Sequence, residues 1–255
     1  MKESIQRISI IGHGNVGSHL AIQLHNAGVT ISHILTRNSE TTTDFSKSID
    51  ALSISDVSEL PNNQLVLLCV PDDSISDLLL SIDKSCPVAY TSGAVELSSL
   101  TLRENIGVFY PLQTFTKDGE MNLSDVPFFI EGNNESFAQQ LFDLASKLSS
   151  TVNFATSEER KKLHVTAVWV NNFTNHILHI AQEYATKNDV DFNHLMPLLK
   201  ETISKLDKTS ALENQTGPAR RGDQATMKLH EAQLEGLPKE LYALISHSIQ
   251  KTYLK

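Results

Sequence analysis

The stretch IGHGNVGSHL, Ile11–Leu20, decides how this chain is read. It carries Gly12, Gly14 and Gly17 in the spacing G-x-G-x-x-G, which is weak evidence until its surroundings are considered. The apolar run ISII, Ile8–Ile11, leads directly into it, and the helix-period segment Val16–Ala27 follows and stops at Gly28. A second apolar run, TISHIL at Thr30–Leu35, completes a βαβ unit. Each glycine then has a task. Gly12 permits a tight turn, Gly14 lets a diphosphate approach the backbone, and Gly17 lets helix and strand pack closely. The helix start offers the free amides of Asn15, Val16 and Gly17, with partial positive charge, to phosphate oxygens.

The end of the second run selects the nucleotide. An acidic residue there bonds the ribose hydroxyls of NAD. This chain has Thr36-Arg37-Asn38-Ser39 instead, and a guanidinium with hydroxyls suits the 2′-phosphate of NADP. NADP is therefore expected ahead of NAD, with Glu40 the residue that keeps NAD open. Two later stretches follow apolar runs: Val70-Pro71 after LVLLCV, and Ser92-Gly93 after PVAY. Carboxyl ends of parallel strands are where open sheets bind ligands, so these four residues are expected to contact the cofactor. Turn chemistry alone accounts for the same residue types.

Further apolar runs at Gly107–Tyr110 and Pro127–Glu131, with helix-period segments at Ile75–Ile82 and Ser136–Leu148, continue the alternation. Near-continuous apolar strands between helices imply a mostly parallel sheet covered on both faces. Around Thr156 the texture changes. Thr156 and Glu159 form a capping box signature, and no convincing strand follows. Helices are expected at about Glu158–Lys187, Phe192–Leu206 (delayed or kinked by Pro197), Asp223–Glu235, and Pro238–Tyr253 with Pro at its first position. The expected fold is α/β: a Rossmann-type domain over 1–155, then an all-helical domain over 156–255.

On a helical wheel the long helix carries Trp169, Val170, Phe173, Ile177, Ile180 and Ala181 on one side. The opposite arc holds His164, Asn171, Asn172, Asn175, His176, His179 and Gln182, without the Lys and Glu of the flanking EERKK that mark a solvated face. Uncharged hydrogen-bonding groups suit a wet cleft or a facing subunit. His164 and Asn172 are assigned to the cleft, as acid/base and substrate-orienting amide. His176 and His179 are assigned to packing against another helix, and lacking a third ligand they predict no metal site. In TGPARRGD, Thr216–Asp223, two guanidiniums on a constrained loop suit an anion, or lock the turn through Asp223. Arg221 is the candidate for a substrate carboxylate. His230, further along, faces either the same cavity or a neighbour.

The 255 residues carry a formal net charge of −9, with 40% hydrophobic and 20% charged residues. An acidic chain without Lys/Arg runs excludes nucleic acid as a partner. The longest apolar run is too short to span a bilayer, no secretory h-region is seen, and Cys69 and Cys86 lack metal-ligand spacing. A cytoplasmic protein without membrane association is expected.

GHGNVG, VPD at Val70–Asp72, TSGA at Thr91–Ala94, YPLQTF at Tyr110–Phe115, LHVTAVWVNNF at Leu163–Phe173 and TGPARRGD with His230 carry a family resemblance. The chain resembles a bacterial group in the pyrroline-5-carboxylate reductase superfamily. Its members join a Rossmann-like NADP oxidoreductase domain to a helical domain of unknown function, similar to the C-terminal parts of phosphogluconate dehydrogenase-type enzymes. The resemblance implies NADP binding, a homodimer made through the helical domain, and a cleft between the domains. The Lys-x-x-x-Asn of hydroxyacid dehydrogenase relatives is absent from this cleft position, whereas an imine accepts hydride without such a lysine. The expected function is an NADP-dependent oxidoreductase acting on a small carboxylate-bearing imine or carbonyl compound. Its alternative is a non-catalytic NADP(H)-binding dimer serving as a redox sensor or regulatory protein.

Overall fold

The computed structural model describes residues 4–36, 39–100, 103–116 and 121–253. Its strands are β1 (Arg7–Ile11), β2 (Thr30–Leu35), β3 (Leu52–Ile54), β4 (Leu65–Leu68), β5 (Val88–Tyr90), β6 (Ile106–Pro111), β7 (Phe128–Gly132) and β8 (Val152–Phe154). They form one sheet in the order β3-β2-β1-β4-β5-β6-β7-β8. All neighbours run parallel except the antiparallel pair β6–β7. The order reverses between β1 and β4, and in sheets of this kind the crevice beyond the carboxyl ends at such a reversal receives ligand.

Burial on both faces explains the unbroken apolar runs. Along β4, Leu65 and Leu67 join one hydrophobic cluster while Val66 and Leu68 join the other. The first cluster takes in Leu20 and Leu24 of helix α1 (Asn15–Asn26) together with Phe137 and Leu141 of a helix at Glu135–Ala145. The second takes in Ile75 and Leu79 of a helix at Ile75–Ser81. With an intervening helix at Ser39–Ser48, these three are α2 (Ser39–Ser48), α3 (Ile75–Ser81) and α4 (Glu135–Ala145). Helix α5 (Ser157–Ala167) follows β8, opened by the expected capping box: Thr156 accepts from the Glu159 amide at 3.3 Å and Glu159 accepts from the Thr156 amide at 2.9 Å.

The α/β class, the mostly parallel sheet and the helical end of the chain match the expectation. Helix α2 and strands β3 and β8 were not foreseen. SETTTDFSKS has Phe45 as its single apolar residue, and the two strands are three residues each, too short to show a period.

The chain divides into two compact units, Met1–Asn172 and Phe173–Lys255, so α5 belongs with the sheet rather than opening the helical part. Nor is the expected helix over 158–187 uniform. A π-helical turn at Val168–Phe173 separates α5 from α6 (Thr174–Lys187). Its wider i→i+5 winding breaks the phase of a 3.6-residue wheel, so residues on either side of it do not share the arcs drawn from sequence.

The second unit continues with α7 (Met196–Ser204), α8 (Ala211–Asn214), α9 (Pro218–Arg221), α10 (Gln224–Glu231) and α11 (Gly236–Tyr253). Pro197 lies in the first turn of α7, behind a 3-10 turn at Phe192–Leu195, and so delays the helix. Pro238 is third in α11 rather than first. Among the described residues of this unit only Ala185, Ala219, Met227 and Ser246 are buried, whereas Leu198, Leu229 and Leu244 are each 66% exposed. Among the described residues no helix is long and apolar enough to cross a membrane.

Candidate dinucleotide and substrate site

The glycine turn is built as its sequence requires. Gly12 has φ +105°, and a Cβ there would strike the Cys69 carbonyl where β1 and β4 end side by side. The Gly12 amide donates to the Leu35 carbonyl at 2.9 Å, tying the turn to the end of β2 beside Thr36. A Cβ on Gly17 would strike the Gly12 carbonyl and come within 3.1 Å of Cys69 Cβ, so helix and strand are in closest contact there. Gly14 differs: nothing lies within 4 Å of its would-be Cβ. It caps α1 without a side chain, which leaves the first-turn amides open to an outside acceptor. Open space before bare amides fits a diphosphate.

Neighbouring side chains frame this turn. Asn15 Nδ2 donates to the Phe115 carbonyl at 2.8 Å, so the Asn15 side chain is engaged within the fold and its backbone amide is what remains to offer a nucleotide. His13, between the first two glycines, lies 4.3 Å from the Phe45 ring, and burial lowers its pKa. Burial pushes the Cys69 thiol up to about 12, which keeps it neutral. Val70 is half-buried, with Cγ1 lying 3.2 Å from where a Gly12 Cβ would stand, and Pro71 is exposed. Arg37, the residue proposed for a 2′-phosphate, lies outside the described residues.

Ser92 Oγ accepts from the amides of Ala94 and Val95, at 3.1 and 3.0 Å, and shapes the loop after β5. That loop brings Gly93 so close to two side chains that its would-be Cβ lies 2.6 Å from Tyr110 Cζ and 2.7 Å from His164 Nδ1. Tyr110 Oη and His164 Nδ1 are 3.2 Å apart. Beneath the loop lies Arg160, fully buried within the EERKK run that sequence assigned to a solvated face. Its guanidinium donates to Glu131 at 2.8 Å, to the Val95 carbonyl at 2.9 Å and to Ser157 Oγ at 3.1 Å. Tyr110 and Arg160 were both missed from sequence. The one available signal was Glu131, an acid ending an otherwise apolar strand and in need of a buried partner.

A cavity of about 690 Å³ in the first unit reaches from Val16, in the first turn of α1, to Tyr110, Leu163, His164, Asn171 and Asn172. The π turn therefore brings His164 and Asn172 to one cavity, where Asn171 donates to Thr114 Oγ1. Among the described residues, no Lys, Arg, Asp or Glu lines it. The cavity thus offers imidazole, phenol, amide and hydroxyl groups against aliphatic walls, a setting for hydrogen bonding and proton transfer to a reacting carbonyl or imine.

In the second unit the two arginines part ways. Arg220 donates to the carbonyl of Gln215 and stacks over the Tyr253 ring with 5.2 Å to the centroid, so it locks the turn without using Asp223. Asp223 caps α10, accepting from the Thr226 amide at 3.1 Å. The Thr226 hydrogen bonds, and more weakly the Arg221 charge, hold its carboxyl below the usual range. Arg221 itself is exposed. His230 Nδ1 lies 2.9 Å from Tyr242 Oη. His176 and His179 lie 6.1 Å apart on α6, and His179 lies 3.6 Å from Glu183.

Sheet order, glycine turn and cavity fit an NAD(P)-dependent oxidoreductase, and the relatives of the chain agree. Residues 7–88 match the family model described as NADP oxidoreductase coenzyme F420-dependent, and residues 126–249 match a domain of unknown function, DUF2520. The candidate NADP oxidoreductase BF3122 of Bacteroides fragilis is 32% identical, over 97% of this chain and 98% of that one, with a TM-score of 0.89. The chain belongs to this family, in which an NADP oxidoreductase domain precedes a DUF2520 domain. Two more distant structures share the fold. A 1-pyrroline-5-carboxylate reductase of Streptococcus pyogenes is 14% identical over 98% of this chain and 98% of that one, with a TM-score of 0.60. An NADH-preferring ketol-acid reductoisomerase from an uncultured archaeon is 11% identical over 96% and 82%, with a TM-score of 0.62. No curated protein matches the chain.

Proposed function

We propose that this protein is an NADP-dependent oxidoreductase that transfers hydride to or from a small carboxylate-bearing imine or carbonyl compound. The observation that carries this reading is the cavity of about 690 Å³ that runs from the first turn of α1 to His164 and Asn172. The cavity joins the nucleotide-binding turn to imidazole, phenol and amide groups able to exchange protons and orient a substrate, which a nucleotide sensor does not require. The nicotinamide, when bound, supplies or accepts the hydride. The chain does the rest. Amides at Gly12–Gly17 hold the diphosphate, and the ends of β2, β4 and β5, with Thr36, Arg37, Val70, Pro71, Ser92 and Gly93, flank the nucleotide. His164 exchanges a proton with the reacting nitrogen or oxygen, and Asn172 orients it. Titration with NADPH and NADH, then a screen of imino and keto acids for NADPH oxidation, tests this. Tighter NADPH binding and turnover of one panel member are expected. Tighter NADH binding refutes the NADP choice, and a panel without turnover refutes the substrate class.

The protein is further proposed to work as a homodimer through its helical unit. A unit of this size with four buried residues among those described leaves its apolar side chains in need of a cover. Light scattering is expected to give twice the mass of one chain, and Leu244→Asp to shift it toward one. A wild-type monomer at micromolar concentration refutes the dimer.

A further inference from the structure

We propose that Tyr110 is a positioning residue for His164: its hydroxyl donates to Nδ1, so the ring keeps its proton on Nε2 and presents that N–H to the cavity. The proposal rests on the reading of His164 as the proton donor. Its own basis is geometric. Oη and Nδ1 are 3.2 Å apart, and the rings meet edge to face at 61° with centroids 6.3 Å apart. A neutral imidazole has one donor and one acceptor nitrogen, and whatever engages one of them sets the role of the other.

Both partners are held by rigid elements. Tyr110 lies in β6, 8% exposed, paired in register with Phe129 of β7. His164 lies on α5 one turn after the buried Arg160, which fixes that helix to Glu131. Gly93 closes the third side, because any side chain there would enter the space of both rings. Burial raises the Tyr110 pKa, so the phenol remains a hydrogen-bond donor through the neutral range.

The full-length, cofactor-free protein is sufficient for the test. Long-range ¹H–¹⁵N spectra of histidine-labelled protein, with His164 assigned by its absence in His164→Gln, report which ring nitrogen carries the proton. Wild type at pH 8 is expected to show His164 wholly in the Nε2–H form. Tyr110→Phe keeps the ring and loses only the hydroxyl, and the two nitrogen shifts are expected to move toward the mixed values of a free imidazole. Identical His164 shifts in wild type and Tyr110→Phe, or a wild-type proton on Nδ1, overturn the proposal. If the shifts change as expected while His164→Ala retains full turnover, the positioning contact stands and the acid role of His164 fails. The two ideas therefore fail separately.

Discussion

Replacing His164 with alanine is expected to lower turnover by roughly two to four orders of magnitude, the range that positioned acid–base groups contribute. The helix that carries it survives the change. Alanine is the best helix former, α5 begins at a two-sided capping box, and Arg160 anchors its first turns from below. The ring faces Tyr110 and the cavity, so its removal leaves the hydrophobic clusters intact. On the proposed reading nucleotide affinity is set at the β1–α1 turn, so it is expected to stay close to wild type. The loss therefore falls on kcat, as expected for an interaction made in the transition state and not in ground-state binding. Steady-state kinetics with the imino or keto acid identified by the NADPH screen provides the measurement, and a rate equal to wild type removes His164 from the mechanism.

What sequence revealed and what it concealed follow from the range of the interactions involved. The glycine turn was legible because strand, turn and helix are contiguous in sequence, although the atoms that exclude a side chain at Gly12 belong to Cys69 and Val70, just past β4. The class of the sheet was legible, since runs such as LVLL are buried on both faces, but its strand order was not. The Tyr110–His164 contact spans 54 positions and leaves no mark on either local pattern. The π turn at Val168–Phe173 was equally hidden, because a wheel drawn at one constant angle presumes the winding it is used to interpret. Arg160 shows the deepest failure. Its neighbours Glu158, Lys161 and Lys162 are exposed or paired at the surface, as a charged run implies, yet the middle residue points inward. Composition averages over a helix turn, and burial is decided residue by residue. In the second unit the apolar periodicity was legible, but its side chains are exposed, so the pattern marks a surface to be covered rather than a core.

Arg160→Met is expected to destabilise the first unit by about 3 kcal/mol, toward the lower end for breaking a buried ion pair. The cost has two parts. Glu131 loses its cationic partner, although its side chain is 19% exposed and Ser157 continues to donate to it at 2.8 Å, so water and a hydroxyl soften the loss. The Val95 carbonyl loses a buried donor at 2.9 Å, and the weaker contacts to Ser92 and Gly93 at 3.5 and 3.4 Å go with it. Methionine replaces the stem volume, which separates lost polar contacts from a simple cavity. Arg160→Met/Glu131→Gln removes the stranded charge and is expected to recover part of the loss. The carbonyl contacts stay unrepaired, so the recovery is incomplete. Urea denaturation reads both variants through the midpoint at unchanged m value. A single variant as stable as wild type would mean that the buried guanidinium contributes nothing net to the fold. The loop it holds also seats Gly93 against Tyr110 and His164, so the same substitution is expected to loosen the site where the fold and the chemistry meet.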